Sequence, residues 1–209
     1  MISLPRLYAI LDAGFFTSTE NLVTVAQELA AVGCSLIQYR NKSGNAPEML
    51  AQARELRRAF PVGSLQMPVR LIMNDRADLC LAAEFDGVHV GQDDLSPDGV
   101  RRIIGSERWL GVSTHNPEQL READLTSADY LAIGPVFATT SKEKPDPVVG
   151  VEGVRRARQL TRKPLVAIGG ITRANARSVI EAGADSVAVI SDLLRDPGKS
   201  AEEFFRILR

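Results

Sequence analysis

Short apolar runs recur along the chain at regular intervals. They are LYAIL (residues 7–11), SLIQY (35–39), VRLIM (69–73), DGVHV (86–90), WLGVS (109–113), DYLAIG (129–134), PLVAIG (164–169) and DSVAVI (185–190). Each is short and nearly continuous in its apolar character, as a strand buried on both faces is. The stretches between them change to a helical period, in TENLVTVAQELAAVG, APEMLAQARELRRAF, NPEQLREADL, VEGVRRARQL and RANARSVIEAG. Thr19, Ser96, Asn116 and Thr172 are candidate helix caps, and Gly33, Gly105 and Gly183 are candidate stops. Strand and helix thus alternate from end to end, with no Ser/Gly-rich linker and no low-complexity tract to mark a domain boundary.

Eight strands alternating with eight helices in 209 residues predict a compact (β/α)₈ TIM barrel, a single α/β domain over residues 1–209. An open doubly wound sheet is the other fold with this alternation. It calls for a glycine-rich GxGxxG turn after the first strand, and LDAGFFTS lacks that spacing. The barrel carries its chemistry at the mouth formed by the C-terminal strand ends, so the residues just past each run become the candidates.

Those residues are polar in a patterned way. The second run leaves Gln38, Arg40 and Lys42 in QYRNK, which alternation points the same way, so an amide and two cations can meet one anion. Asn41 then falls on the outward side. The third run leaves Asn74 and Asp75, the fourth His89, Gln92 and Asp94, and the fifth Ser113 and His115. The sixth leads into the long loop GPVFATTSKEKPDPVVG, and the seventh and eighth end in Gly169-Gly170 and Ile190-Ser191. A glycine pair and a helical turn after the last two strands match the phosphate site that barrels often build there. Asp75 and Asp94 stand at the same end of adjacent strands, where two carboxylates can share a hard cation such as Mg²⁺ or cap the following helices. With Arg40, Lys42 and Lys142 alongside, a diphosphate is the substrate group such a site suits.

Composition narrows the classes further. Hydrophobic residues make up 44% of the chain and aromatic ones only 5%, a core of Val, Ile, Leu and Ala that suits helix-covered parallel strands. A formal net charge of -1 with scattered Lys and Arg argues against nucleic acid as a partner. No apolar stretch approaches the roughly 20 residues that cross a bilayer, and Pro5, Arg6 and Asp12 interrupt a signal-like core, so the expectation is a cytoplasmic protein. Cys34 and Cys80 sit among apolar neighbours without a CxxC partner, as reduced core residues do. Homo-oligomerisation is left open.

The ordered set QYRNK, MNDRADL, HVGQDDL, GVSTHN, GPVFATTSK, AIGGI and VAVIS, spread over nearly the whole chain, resembles the thiamine-phosphate synthase family. The resemblance implies a (β/α)₈ barrel enzyme that joins 4-amino-5-hydroxymethyl-2-methylpyrimidine diphosphate to a thiazole phosphate and releases diphosphate. It implies that Gln38, Arg40, Lys42, Asn74, Ser113 and Lys142 hold the pyrimidine diphosphate, with Arg40, Lys42, Ser113 and Lys142 in catalytic roles. Asp75 and Asp94 would carry Mg²⁺. Thr139, Thr140, Ser141, Gly170, Ile190 and Ser191 would hold the thiazole phosphate, and residues 138–149 would form a lid. Asn41 stands where the family pattern is expected to have an acid. Other readings on the same barrel are a thiazole tautomerase, for which His115 is the candidate acid/base, and a non-catalytic thiamine-phosphate-binding paralogue. His89, within GVHVG, reads as a hydrogen-bonded histidine of the core or behind the site.

Overall fold

The computed structural model describes residues 2–63, 68–139 and 146–209. Strands β1 (Leu7–Asp12), β2 (Leu36–Arg40), β3 (Arg70–Asn74), β4 (Gly87–Val90), β5 (Trp109–Thr114), β6 (Tyr130–Ile133), β7 (Leu165–Ile168) and β8 (Ser186–Val189) are parallel and close in sequence order into a barrel. Between and after them run α1 (Thr19–Ala31), α2 (Ala46–Ala59), α3 (Ala77–Ala82), α4 (Pro97–Ile104), α5 (Pro117–Asp124), α6 (Gly150–Leu160), α7 (Ala176–Glu181) and α8 (Pro197–Ile207). The (β/α)₈ expectation holds, and the open-sheet alternative does not.

Apolar runs without sequence alternation nevertheless divide by alternation in space. Leu7, Ala9 and Leu11 of β1, Ile37 and Tyr39 of β2, and Leu71 and Met73 of β3 point outward into the layer beneath the helices. Their neighbours Tyr8, Ile10, Leu36 and Ile72 fill the barrel interior with Tyr130, Ala132, Val166 and Ala188. Following the inward series to the top of each strand leads from this apolar plug to Asp12, Gln38, Arg40, Asn74, His89 and Ser113. The inward positions also match across neighbouring strands, Asp12 against Arg40 and Asn74 against His89.

The opposite end of the barrel is tied by a recurring clamp. Asp86, just before β4, accepts from Arg57 of α2 and from the Leu71 amide of β3, each at 2.7 Å. Asp129 before β6 takes Arg101 at 2.6 Å and the Leu110 amide at 2.7 Å. Asp185 before β8 takes Arg158 at 2.9 Å and the Leu165 amide at 2.8 Å. One carboxylate therefore satisfies the first free amide of the preceding strand and fixes a helix to the barrel.

Two expected caps shift. Ser18 rather than Thr19 caps α1, its hydroxyl accepting the Asn21 amide at 3.2 Å, whereas Ser96 and Asn116 cap α4 and α5. Thr172 does not cap α7, because a turn over residues 172–175 intervenes. There the Asn175 side chain accepts from the Thr172 amide at 2.8 Å and donates to the Gly170 carbonyl at 3.0 Å. Cys34 and Cys80 are free and buried. Among the described residues, no helix is long and apolar enough to cross a membrane.

Candidate active site

The strand C-termini open into a cleft of about 710 Å³, within the range of small-molecule sites. All the described candidates, namely Gln38, Arg40, Lys42, Asn74, Asp75, Asp94, Ser113, Thr139, Gly170, Ile190 and Ser191, line it. Thr140, Ser141 and Lys142 lie outside the described residues, as does the centre of the expected lid. On either side of that segment Ala138, Thr139 and Asp146 also line the cleft.

Among the described residues, the two cations of the mouth are each paired with an acid. Arg40 meets Asp12, an acid at the end of β1 that sequence reasoning did not single out, and Lys42 Nζ lies 2.5 Å from Asp75 Oδ2. Among the described lining residues, Asp75, Asp93, Asp94 and Asp146 together outnumber the cations Arg40 and Lys42. Burial raises the Asp75 carboxyl above its usual range. The Lys42 ammonium works against that rise, and the neighbouring Asp94 carboxylate adds to it. Asp75 is also held at φ +62°, a left-handed conformation uncommon outside glycine, with its amide donating to the His89 carbonyl at 2.8 Å. Asp94 accepts the Gly91 amide at 2.7 Å, which aims it back over its own loop.

This donor set fits a magnesium-like cation. Two crowded carboxylates gain from a positive charge between them. With two carboxylates supplied by the chain, a bound Mg²⁺ would take its remaining ligands from water and substrate oxygens. Beside the pair, the Asn74 side-chain Nδ2 is buried with no hydrogen-bond partner among the described residues, a donor that a ligand oxygen or ring nitrogen would satisfy.

Across the mouth, the opposite end of the cleft is built from the loops after β7 and β8. Gly170 has φ +63°, and a Cβ there would lie 2.4 Å from the Ala138 carbonyl oxygen, so a turn and a close backbone approach both demand glycine. The loop after β6 runs against the end of β7, the amides of Val136 and Phe137 donating to the carbonyls of Ile168 and Gly169 at 2.9 and 3.0 Å. After β8 a helical turn follows, in which the Leu194 amide bonds to the Ile190 carbonyl at 3.1 Å. Arg173 ties the two loops together through Asp192, at 3.0 Å, and through Glu203 of α8. Nothing in the spacing of those three residues announced this.

Asn41 faces outward, donating to Tyr39 Oη at 3.2 Å and Gln52 Oε1 at 3.1 Å, with no charge involved. His115 lines the cleft with Nδ1 2.6 Å from the Gly134 carbonyl and Nε2 3.4 Å from Asp146 Oδ2. His89 is buried, bonded through both ring nitrogens to Tyr130 and Ser113, and also lines the floor of the cleft.

A protein-family model described as thiamine monophosphate synthase matches residues 7–193. The thiamine-phosphate synthase of Koribacter versatilis is 61% identical over 210 residues, covering 99% of this chain and 97% of the relative. That of Chloroflexus aurantiacus is 42% identical, covering 89% and 83%. The thiamine phosphate pyrophosphorylase structure from Pyrococcus furiosus superimposes with a TM-score of 0.84 at 32% identity, over 97% of this chain and 95% of that one. The barrel and the near-complete coverage agree, and this chain belongs to the thiamine monophosphate synthase family.

Proposed function

We propose that the protein is a thiamine-phosphate synthase that transfers the pyrimidinylmethyl group of 4-amino-5-hydroxymethyl-2-methylpyrimidine diphosphate to the ring nitrogen of a thiazole phosphate. The observation that carries this reading is the two-ended mouth. An acid pair with Arg40 and Lys42 stands at and just past the ends of β2 to β4, and a glycine and a helical turn, where a phosphate would be cradled, follow β7 and β8.

In this scheme the methylene carbon–oxygen bond breaks first, its electron pair leaving with the diphosphate. Arg40 and Lys42, swinging from Asp12 and Asp75 onto phosphate oxygens, take up the charge that develops there, with Lys142 of the following loop as a third cation. Mg²⁺ held by Asp75 and Asp94, when bound, supplies further neutralisation of the leaving group. The exocyclic amine and ring electrons of the pyrimidine stabilise the methylene cation, while Gln38, Asn74 and Ser113 fix the ring. The thiazole nitrogen lone pair then closes the carbon–nitrogen bond, and its phosphate is anchored by Thr139, Thr140, Ser141, Gly170, Ile190 and Ser191. No proton is transferred in either step. Neither histidine is therefore needed as a base, and His115 bonded to Gly134 and Asp146 serves the loop instead. Closure of the loop after β6 would keep water from the cation.

The test is to mix the chain with both substrates and Mg²⁺ and follow thiamine monophosphate. Its formation supports the reading. Tight binding of either substrate without product overturns it, and isomerisation of a carboxylated thiazole phosphate would point to the tautomerase.

A further inference from the structure

A line of polar groups crosses the otherwise apolar barrel interior beneath the cleft. Gln38 Nε2 donates to Tyr8 Oη at 2.8 Å, Tyr8 Oη lies 3.0 Å from Tyr130 Oη, Tyr130 Oη lies 3.1 Å from His89 Nδ1, and His89 Nε2 lies 2.8 Å from Ser113 Oγ. Gln38 and Ser113, at the two ends, both face the cleft. Tyr8 and Tyr130 are fully buried, where phenylalanine would fill the same space without any hydroxyl to satisfy.

The contact at the centre has been made room for. Gly111 lies between His89 and Tyr130 in strand register, and a Cβ there would come within 2.1 Å of Tyr130 Cζ and 2.4 Å of His89 Nδ1. Glycine inside a strand costs conformational entropy and packing, and here its absent side chain is what lets the two rings meet, with centroids 5.5 Å apart.

Proton counting gives the line a direction. The Tyr8 oxygen accepts from Gln38, and giving its own proton to Tyr130 is the order that leaves neither buried hydroxyl hydrogen unpaired. The Tyr130 proton then goes to His89 Nδ1, the neutral imidazole carries its proton on Nε2, and that proton is donated to Ser113 Oγ. The Ser113 hydroxyl proton is left to point into the cleft, while Gln38 presents its carbonyl oxygen. We infer that Tyr8, Tyr130 and His89 are positioning residues that couple Gln38 to Ser113, so that the pocket offers an acceptor at one end and a donor at the other. A ligand carrying an amine donor and a ring-nitrogen or phosphate acceptor, as an aminopyrimidine diphosphate does, matches that polarity. The substrate assignment rests on the proposed synthase reading, whereas the proton order is a property of the ligand-free protein.

The experiment uses the full chain labelled with ¹⁵N in its histidine rings, the His89 signal being assigned with His89→Gln, near neutral pH. The wild type is expected to show His89 protonated on Nε2 alone, and Tyr130→Phe to show the tautomers mixed or reversed. In kinetics, Tyr130→Phe should lower kcat/KM for the pyrimidine diphosphate about tenfold and leave the thiazole phosphate KM unchanged, with no further loss in a Ser113→Ala background. A wild-type Nδ1–H tautomer would overturn the direction. An unaltered tautomer or unaltered kcat/KM in Tyr130→Phe would reduce the line to packing, and an undiminished tenfold loss beside Ser113→Ala would show that it does not act through Ser113. If the chain made no thiamine monophosphate at all, the synthase reading would fail and the tautomer result would still decide the proton order.

Discussion

Replacing Asp86 by alanine removes one side chain that serves two partners at the closed end of the barrel. Its Oδ2 holds the Arg57 guanidinium and the Leu71 amide, both at 2.7 Å. Arg57 has a side chain only 10% exposed, lies 5.7 Å from the Phe85 ring centroid and keeps one other bond, from Nη1 to the Phe60 carbonyl at 2.9 Å. Without Asp86 a nearly buried cation loses its counter-charge, a change that costs about 3–5 kcal/mol in buried pairs. The lower bound applies, because Asp86 itself is 20% exposed and water can reach the vacated space. A loss of about 3 kcal/mol should lower Tm by roughly 6–12 °C in a domain of this size. Calorimetry or thermal circular dichroism on Asp86→Ala reads it. Asp78→Ala, which breaks an exposed pair with Arg76, is the control, expected within about 1 kcal/mol of wild type. Adding Arg57→Leu to Asp86→Ala should recover part of the loss, since the uncompensated charge is then gone. An Asp86→Ala Tm no lower than that of Asp78→Ala would refute the reasoning for this clamp and for its counterparts at Asp129 and Asp185.

Burial pushes the His89 imidazole down to about 4, so between pH 6.5 and 4 the unfolded chain binds a proton that the folded chain does not. Its contribution to stability is therefore lost as the pH falls through that window, by about 3 kcal/mol in full, and His89→Gln should flatten the acid side of the stability curve; parallel curves for the two proteins would contradict this. Gly170→Ala, with a Cβ forced to within 2.4 Å of the Ala138 carbonyl, should raise the thiazole phosphate KM at least about tenfold and affect the diphosphate substrate much less. Equal effects on both would place Gly170 away from the phosphate cradle. Asp94→Asn keeps an acceptor for the Gly91 amide while removing a charge, so turnover should fall more than about a hundredfold with Tm nearly unchanged. Near-normal turnover with Mg²⁺ would take Asp94 out of the cation site.

The strands, most helices and the barrel were legible because buried parallel strands and amphipathic helices differ in period, and the site followed because this fold puts its chemistry at one set of ends. What stayed hidden was pairing between distant residues of ordinary type. Asp12 looked like a break in an apolar run, and only strand register sets it against Arg40. Arg40 and Lys42 accordingly read as free cations, whereas each has an acid beside it. Tyr8 and Tyr130 lay in no motif and Gly111 only opened GVSTHN, since a glycine in WLGVS and a tyrosine in an apolar run are unremarkable until closure brings them together. Asn41 marked a departure in the sequence, and its local hydrogen bonds to Tyr39 and Gln52 account for it without charge.

The measurement that bears most directly on the central claim is simultaneous quantification of diphosphate and thiamine monophosphate when the chain meets both substrates, first with Mg²⁺ and then with excess chelator. The account predicts one-to-one appearance of the two products with Mg²⁺ and neither once the cation is removed. Diphosphate released without thiamine monophosphate, product formation indifferent to chelator, or binding with no release would contradict it.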